Sequence, residues 1–265
     1  MKSSSVVDVL VIGGGAAGFF AAANCAELNP GLRILIVERS SKPLGKVLIS
    51  GGGRCNLTHA CFDPAQLVQY YPRGGNALRG PFTRFQPRDT LEWFQRRGVQ
   101  LKTQPDGCVF PVSDSSQTIV DCLLQAAEGA GVSLRTHCAV QSLELTGEPD
   151  ARFHITVQEA GVTQELSARS VLLATGGDRR GMQLAASLGH RLAPPVPALF
   201  SFSLHDPRLE GLAGVSLPHA RLRLLDEDNQ APHLPGMQQE GALLVTHWGL
   251  SGPAVLKLSS WAARW

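Results

Sequence analysis

The sequence lacks any uninterrupted apolar run of the roughly 20 residues that a transmembrane helix needs. Lys2 precedes an apolar stretch, as in a signal peptide, but Asp8 interrupts that stretch and three consecutive glycines follow it. The N-terminus is therefore better explained as a buried strand than as an export or membrane segment. These absences predict a cytoplasmic protein without a membrane partner.

Paired cysteines are missing as well. None of the six cysteines belongs to a C-x-x-C pair, and no cysteine–histidine spacing matches a zinc site. Dispersed thiols in a chain of 265 residues indicate a reducing compartment rather than a disulfide scaffold. We predict no metal site.

Aromatic residues and net charge are scarce. Phe, Trp and Tyr make up 6% of the chain, whereas its 28 glycines and 17 prolines are typical of a loop-rich α/β protein. The formal net charge is +2, so charge alone selects no partner. It is unevenly distributed, because residues 1–110 contain 13 Lys and Arg against 7 Asp and Glu. This basic half is compatible with a phosphate-bearing ligand or with RNA, but it does not select RNA.

The first forty residues predict a βαβ unit. Val6–Ile12 and Arg33–Glu38 are apolar, β-branched runs typical of buried parallel strands. Between them, Ala16–Leu28 predicts a helix. Residues 39–82 show no clear period, and a stretch of that length in a compact domain is usually functional.

Later segments complete the predicted architecture. Two further helices are expected at Pro87–Arg97 and Ser115–Ala130, with a hairpin between them. Residues 140–168 predict an antiparallel meander, and Val171–Ala174 predicts a separate strand after it. Beyond about residue 195, prolines and short alternating runs indicate a second, β-rich domain. We expect domain boundaries of 1–192 and 193–265.

A glycine-rich fingerprint joins the first strand to the first helix. The run from Gly13 to Gly18 fits G-x-G-x-x-G, in which Gly13 allows the tight turn, Gly15 the approach of a pyrophosphate, and Gly18 close helix–strand packing. The diphosphate is expected on the free N–H groups of the helix, beside Ala16 and Ala17. Glu38 ends the second strand and can accept hydrogen bonds from an adenosine ribose. This pattern predicts a dinucleotide site.

The fingerprint alone does not distinguish FAD from NAD. The meander, followed by a strand into Ala174-Thr175-Gly176-Gly177, resembles the glutathione-reductase-like (Rossmann-type) FAD-binding fold. The resemblance implies an α/β FAD-binding domain with a β-meander, plus the start of a barrel-like second domain. An NAD-only dehydrogenase is the rival, and it would continue with regular βα repeats.

A more specific resemblance lies in Leu48–Thr58, which reads LISGGGRCNLT. This run, the CVFP run at Cys108–Pro111 and the THWGLSGP run at Thr246–Pro253 are similar to the bacterial NAD(P)/FAD-dependent oxidoreductases of the BaiN/YhiN type. The resemblance implies that FAD contacts a wider set of residues than the fingerprint. With the fingerprint and Glu38, that set is Arg39, Gly45, Lys46, Gly51, Gly52, Gly53, Arg54, Cys55, Asn56, Val140, Ala174, Thr175, Gly176 and Gly177.

Two residues are candidates for proton transfer. Cys55 follows an arginine and three glycines, so its thiol could be acidified there and act as an acid or a nucleophile, although a buried, inert cysteine is the commoner case. His247 is either a proton donor near the substrate or a packed histidine.

Two departures from the family pattern stand out. After Gly177 the chain runs directly through Asp178-Arg179-Arg180-Gly181 into a helix, where the family has a longer segment. The family also continues well beyond the position of Trp265, so we expect a fragment or a shortened chain.

The resemblance implies FAD-dependent transfer of hydride to a carbon–carbon double bond conjugated to a carbonyl, with NADH or NADPH as a transient electron donor. The substrate would be a small molecule or a nucleobase, including a uridine of ribosomal RNA. The alternative is a truncated, non-catalytic nucleotide-binding remnant, which would expose an apolar sheet face and form oligomers or aggregates.

Overall fold

A computed structural model of the protein describes residues 6–226 and 236–263. The strands in this part of the chain are β1 Val7–Ile12, β2 Ile34–Val37, β3 Thr58–His59, β4 Leu101–Thr103, β5 Cys108–Pro111, β6 Ser133–Arg135, β7 Cys138–Leu145, β8 Phe153–Glu159, β9 Val162–Leu173, β10 Phe202–Ser203, β11 Ser216–Arg223, β12 Gln238–Thr246 and β13 Gly249–Ser251.

The α-helices in the same residues are α1 Ala16–Leu28, α2 Gly45–Ile49, α3 Pro64–Leu67, α4 Gly75–Arg84, α5 Pro87–Gln95, α6 Ser116–Gly129, α7 Arg179–Ser187 and α8 Pro253–Ala262. Short 3₁₀ turns occupy Ser50–Gly53, Val68–Tyr70, Pro149–Ala151 and Pro207–Leu209. No helix among the described residues is long and apolar enough to cross a membrane.

The described chain divides into two compact units. The first comprises residues up to 64 together with 81–192, and the second comprises 65–80 together with the residues from 193 onwards. The contacts therefore place residues 65–80 with the second unit, whereas the sequence assigns them to the first domain.

A six-stranded sheet in the order β6-β2-β1-β9-β8-β7 forms the centre of the first unit. β1 pairs in parallel with β2 and with β9, and β2 pairs in parallel with β6. β7, β8 and β9 pair antiparallel in sequence order. The predicted βαβ unit and the predicted meander are both confirmed, and together they form the Rossmann-type sheet that the sequence predicts.

β9 corrects one sequence expectation. It is one continuous strand, whereas the sequence predicts a meander strand followed by a separate strand at Val171–Ala174. Its first part, Val162–Ala168, pairs with β8, and its last part pairs with β1. Arg169 interrupts the apolar pattern and suggests a break. Its guanidinium instead binds Asp8 and Asp150 at 3.1 and 3.2 Å, so the strand carries a charge without ending.

Both faces of the central strands are buried. Val11 and Ile36 face a cluster that includes an alanine-rich stripe of α1 and the apolar side of α6. Leu10 and Leu35 face the opposite cluster, which the meander completes. Full burial of each such side chain contributes about 1.5–3 kcal/mol relative to exposure. This two-sided burial explains why β1 and β2 are continuous apolar runs.

Asp8 is the polar exception in β1, with 8% of its surface exposed. Its carboxylate accepts a hydrogen bond from the Arg33 N–H at 2.8 Å and forms ion pairs with the Arg33 and Arg169 side chains. The backbone hydrogen bond from Arg33, supported by both guanidinium charges, holds the pKa of Asp8 below its usual value despite burial. The carboxylate thereby joins β1, the start of β2 and β9.

Residues 39–82 contain more regular structure than the sequence predicts, because they include α2, β3, α3 and α4. Tertiary contacts define the short elements at the start of this stretch. The Leu44 N–H donates to the Gly14 carbonyl at 2.7 Å just before α2, and β3 pairs with β5. Elements of two to five residues are too short for a readable hydrophobic period.

The second unit contains an antiparallel sheet in the order β10-β13-β12-β11. α8 follows β13 and buries Ala254, Val255 and Leu258. The expectation of β-rich structure beyond residue 195 is confirmed for the described residues.

Candidate functional site

The turn after β1 and the first turn of α1 each contain a position that accepts only glycine. Gly13 has φ +115°, and a Cβ there would lie 2.5 Å from the Ala174 carbonyl oxygen. A Cβ on Gly18 would lie 2.1 Å from the Gly13 carbonyl oxygen. Both positions therefore hold the turn tightly between β1, α1 and the end of β9, as the fingerprint predicts.

Gly15 differs from its neighbours, because a Cβ built on it meets no atom within 4 Å. It is the N-cap of α1, with extended backbone at φ −94°, and the helix has neither a side-chain cap nor an acidic residue in its first turn. The first-turn N–H groups of a helix have no partner within the helix and attract anions. Gly15, Ala16 and Ala17 all line a cavity, so this helix end is open to an anionic ligand.

Glu38 closes one side of the turn. Its Oε2 accepts a hydrogen bond from the Gly14 N–H at 2.7 Å, and its Oε1 accepts from the Ser40 N–H and hydroxyl at 2.8 Å. Burial raises the pKa of the carboxyl, but the hydrogen bonds from Ser40 and Gly14 and the charge of Arg39 outweigh it and hold the pKa below its ordinary value. Glu38 is thus ionised at neutral pH, and its oxygens retain acceptor capacity for a ligand hydroxyl.

The cavity has a volume of about 1290 Å³, above the 300–1,000 Å³ of typical small-molecule sites. That volume suits an elongated dinucleotide. It brings together most of the predicted site residues, namely Gly13, Gly15, Ala16, Ala17, Glu38, Arg39, Gly45, Lys46, Cys55, Asn56, Val140, Ala174, Thr175, Gly176 and Gly177. Gly18, Gly51, Gly52, Gly53 and Arg54 are not among its lining residues.

Basic side chains predominate among the charged residues of the cavity wall. Arg39 forms an ion pair with Asp178 at 3.1 Å, and both residues line the cavity. Asp178 also accepts from the Arg180 N–H at 2.9 Å and so caps α7 directly after Gly177, at the point where the chain is shorter than the family pattern. Lys42 and Lys46 line the wall and take part in no ion pair among the described residues. An anionic ligand is therefore favoured over a cationic one.

One end of the cavity is apolar, and the sequence does not predict it. Phe20 of α1, Phe94 of α5 and Ile119 of α6 contribute to it. Phe85 completes this end, with its ring centroid 5.5 Å from that of Phe20 in an edge-to-face arrangement. These residues are far apart in sequence and follow no motif, so only helix packing shows that they share a wall.

The run from Gly51 to Gly53 has a positioning role in the structure. All three glycines have positive φ, and a Cβ on Gly51 would lie 2.6 Å from the Asn56 backbone nitrogen. The tight bend turns Cys55 and Asn56 towards the cavity, while Arg54 stacks on the Phe110 ring at 4.4 Å from its centroid. The contact of Gly51–Arg54 with FAD, which the resemblance implies, stays a prediction.

Cys55 lies in the cavity wall but is 5% exposed, with left-handed backbone at φ +59°. Burial raises the pKa of its thiol, and a hydrogen bond involving Ser50 offsets this only in part. The thiol is therefore protonated at neutral pH, contrary to the suggestion that Arg54 and the glycines acidify it. A nucleophilic role for Cys55 is not supported.

His247 belongs to the second unit, in the turn between β12 and β13, and it is exposed. It is not among the residues that line the cavity. Its role as a proton donor stays a prediction.

Sequence analysis misses two further residues of the cavity wall, Leu44 and Ser40. Leu44 is 1% exposed and has φ +60°, a conformation that glycine adopts far more readily. Its N–H binds the Gly14 carbonyl and so places Gly45 and Lys46 beside the turn. Ser40 binds Glu38 and could have been found as a short-range partner of that carboxylate.

Comparisons with known proteins identify the family of this chain. The family model described as "HI0933-like protein Rossmann domain" matches residues 7–251. The chain is 32% identical over 270 residues to "Ribosomal RNA dihydrouridine synthase" of Escherichia coli K12, covering 96% of this chain and 60% of that protein. It is 29% identical over 262 residues to "3-dehydro-bile acid delta(4,6)-reductase" of Clostridium scindens, with the same coverage. The chain thus spans about three fifths of the length of these relatives.

Solved structures support the fold alone. A 3-ketosteroid-Δ4-(5α)-dehydrogenase from Rhodococcus jostii RHA1 superposes with a TM-score of 0.56 at 16% identity, covering 92% of this chain and 67% of that one. The FrdA subunit of Escherichia coli quinol fumarate reductase gives a TM-score of 0.57 at 14% identity, covering 96% and 48%.

Proposed function

The chain belongs to the HI0933-like Rossmann-domain family, and from that premise we propose that it is the FAD-binding part of an oxidoreductase. The observation that carries the proposal is the convergence of three features on one cavity. These are the glycine turn after β1, the uncapped start of α1 and the ionised Glu38.

The pyrophosphate and the adenosine ribose of FAD each find a suitable group in the cavity wall. The pyrophosphate fits the N–H groups at the start of α1, where Gly15 leaves open space. The adenosine ribose fits the free acceptor capacity of Glu38. The basic wall residues Arg39, Lys42 and Lys46 favour a ligand that carries two phosphates. The residues present therefore fit the cofactor.

When bound, FAD supplies two-electron transfer through its flavin ring. The chain's own residues bind and orient the cofactor. Phe20, Phe85 and Phe94 exclude water from the apolar end of the cavity. Cys55 and Asn56 lie in the same wall, where the Asn56 amide can donate to or accept from a ring edge.

We propose reduction of a carbon–carbon double bond conjugated to a carbonyl as the reaction class. The names of the relatives support this class, because a dihydrouridine synthase and a bile acid Δ(4,6)-reductase both saturate such a bond. The sequence contains one G-x-G-x-x-G. NADH or NADPH would therefore dock transiently rather than in a second Rossmann site. A cytoplasmic location is part of the proposal.

The test is the visible absorption spectrum of the purified chain, after incubation with FAD and removal of the excess by gel filtration. We expect a flavin spectrum, FAD identified by mass after denaturation, and bleaching by NADH or NADPH without oxygen. A folded chain that stays colourless would overturn the proposal and favour the non-catalytic remnant. Bound FAD that neither donor bleaches would refute the proposed electron source.

A further inference from the structure

An ion pair in the cavity wall joins the two sides of β1. Arg39 Nη1 lies 3.1 Å from Asp178 Oδ2, and both residues line the cavity. Arg39 comes shortly after β2, and Asp178 comes shortly after β9. These two strands pair in parallel with β1 and lie on opposite sides of it. The ion pair therefore crosses the sheet edge at which β1 ends and the glycine turn begins.

The ion pair lies on the solvent side of the cavity. Ile12 and Val37, the last residues of β1 and β2, line the cavity and are buried, so they belong to its floor. The side chains of Arg39 and Asp178 are instead 66% and 33% exposed. Neighbouring strands are about 4.8 Å apart, so the pair bridges a gap of about 10 Å between β2 and β9. This bridge is here called the Arg39–Asp178 strap.

The start of α7 holds one end of the strap in place. Asp178 is the N-cap residue of α7, and its Oδ1 accepts a hydrogen bond from the Arg180 N–H at 2.9 Å. Gly181 is buried, and a Cβ built on it would lie 1.9 Å from the Thr175 hydroxyl oxygen, so the helix packs directly on the turn after β9. The Arg180 side chain also donates to the Gln141 side chain on β7. The carboxylate end of the strap is thus fixed, whereas the guanidinium end is a long, exposed side chain.

The strap stands beside the place where we put the adenosine ribose. Arg39 directly follows Glu38, whose carboxylate is the proposed ribose acceptor. Asp178 directly follows Gly177, which lines the cavity on the side of β9. Because the paired atoms are 3.1 Å apart, no ligand group passes between them while the ion pair is formed.

We propose that the Arg39–Asp178 strap is a gate over the adenosine half of the dinucleotide, which opens before the cofactor enters or leaves. This inference rests on the proposed function, which supplies the position of the ribose. Asp178 lies where the chain is shorter than the family pattern, so the resemblance to the family does not imply the gate. A partly exposed ion pair shifts an opening equilibrium by up to about fivefold.

The test measures the rates of FAD binding and FAD release by stopped-flow flavin fluorescence, over a series of NaCl concentrations. The variants are D178N, R39Q and R39Q/D178N. Asparagine caps a helix as well as aspartate does, so D178N removes the charge and retains the cap of α7. The control R221Q/E240Q removes an exposed ion pair that does not line the cavity. Circular dichroism of every preparation verifies the fold.

We expect D178N to release FAD about threefold to fivefold faster than the control and to bind it faster by a similar factor. The Kd should change by about twofold or less, because a gate slows entry and release equally. Loss of the Asp178 charge without a gate would speed binding and slow release, since repulsion of the phosphates is removed. In the R39Q background, D178N should add no further acceleration, because the ion pair is already absent.

Salt gives a second readout of the gate. Release from the original chain should quicken as the NaCl concentration rises, because salt screens an exposed ion pair. This acceleration should be smaller in D178N, which has no ion pair to screen. An equal salt response of the two proteins would contradict the gate.

Equal release rates of D178N and the control would overturn the inference, and so would faster binding combined with slower release. Acceleration by D178N in the R39Q background would also overturn it, because Asp178 would then act without Arg39. The same rates are measured with fluorescent etheno-ADP, which carries the adenosine and the pyrophosphate but no flavin. A chain that binds etheno-ADP with the D178N acceleration but binds no FAD would refute the proposed function alone. A chain that binds neither would overturn both.

Discussion

Replacing Gly15 with valine should weaken FAD binding by at least two orders of magnitude while the protein stays folded. The Gly15 backbone is extended, which valine adopts readily, and a Cβ there meets no protein atom within 4 Å. The new side chain therefore projects into the open space of the cavity wall, where we place the pyrophosphate. The substitution should therefore weaken ligand binding without lowering the stability of the fold.

The size of the effect follows from the donors that the valine would block. The N–H groups of Ala16 and Ala17 lie in the first turn of α1, beside Gly15. A hydrogen bond to a charged group contributes about 1.5–3 kcal/mol, so loss of both costs about 3–6 kcal/mol. FAD binding should weaken by about 10² to 10⁴-fold, at about 1.4 kcal/mol per factor of ten.

Gly31→Val is the matched control. Gly31 also has open space around its Cβ position, but it is exposed and does not line the cavity. Equilibrium dialysis against FAD gives the affinities, and urea unfolding gives the stabilities, which should stay within about 0.5 kcal/mol of the original chain for both variants. If Gly15→Val binds FAD as tightly as Gly31→Val does, the pyrophosphate does not lie at the start of α1.

The remaining predictions concern four residues. Glu38→Gln should weaken FAD binding about tenfold to a hundredfold in the same dialysis, because a charge-assisted hydrogen bond to the ribose is lost; unchanged affinity would place the ribose elsewhere. Gly18→Ala should lower the free energy of unfolding by about 1–3 kcal/mol, since its Cβ would lie 2.1 Å from a carbonyl oxygen; an unchanged urea midpoint would contradict the tight turn. The folded pKa of Asp8 lies below its unfolded value of about 3.9. The stabilisation that ionised Asp8 provides is therefore present above that pH and is lost as the pH falls through the folded pKa. In urea unfolding, the free energy of unfolding should drop below about pH 4, and this drop should be smaller in Asp8→Asn. Cys55 should react with iodoacetamide at neutral pH more slowly than the half-buried Cys25, as measured by peptide mass, because burial raises the pKa of its thiol; faster labelling of Cys55 would restore the acidified thiol.

The nucleotide-binding half of the fold can be predicted from the sequence because each of its elements has a local signal. The predicted helix Ala16–Leu28 has the bounds that the structure shows. The glycine turn before residue 16 marks its start, and Asn29-Pro30-Gly31 marks its end. The meander is confirmed because alternating residues and turn residues mark its strands. The role of Glu38 can be predicted from its spacing in sequence after the G-x-G-x-x-G run alone.

The rest could not be predicted, because long-range contacts determine it. β9 continues through Arg169 because two distant carboxylates bind that guanidinium. Leu44 adopts a left-handed backbone because its N–H binds Gly14 and its side chain is buried. The apolar end of the cavity is made by Phe20 and Phe85, which come together only when α1 packs beside the start of α5. No local pattern contains these contacts.

The most direct test of the central claim is a crystal structure of this chain grown with FAD. We predict the pyrophosphate on the N–H groups of Gly15, Ala16 and Ala17, and the adenosine ribose hydroxyls on the Glu38 carboxylate. FAD bound away from the start of α1, or crystals without FAD from a folded chain at saturating cofactor, would contradict the account.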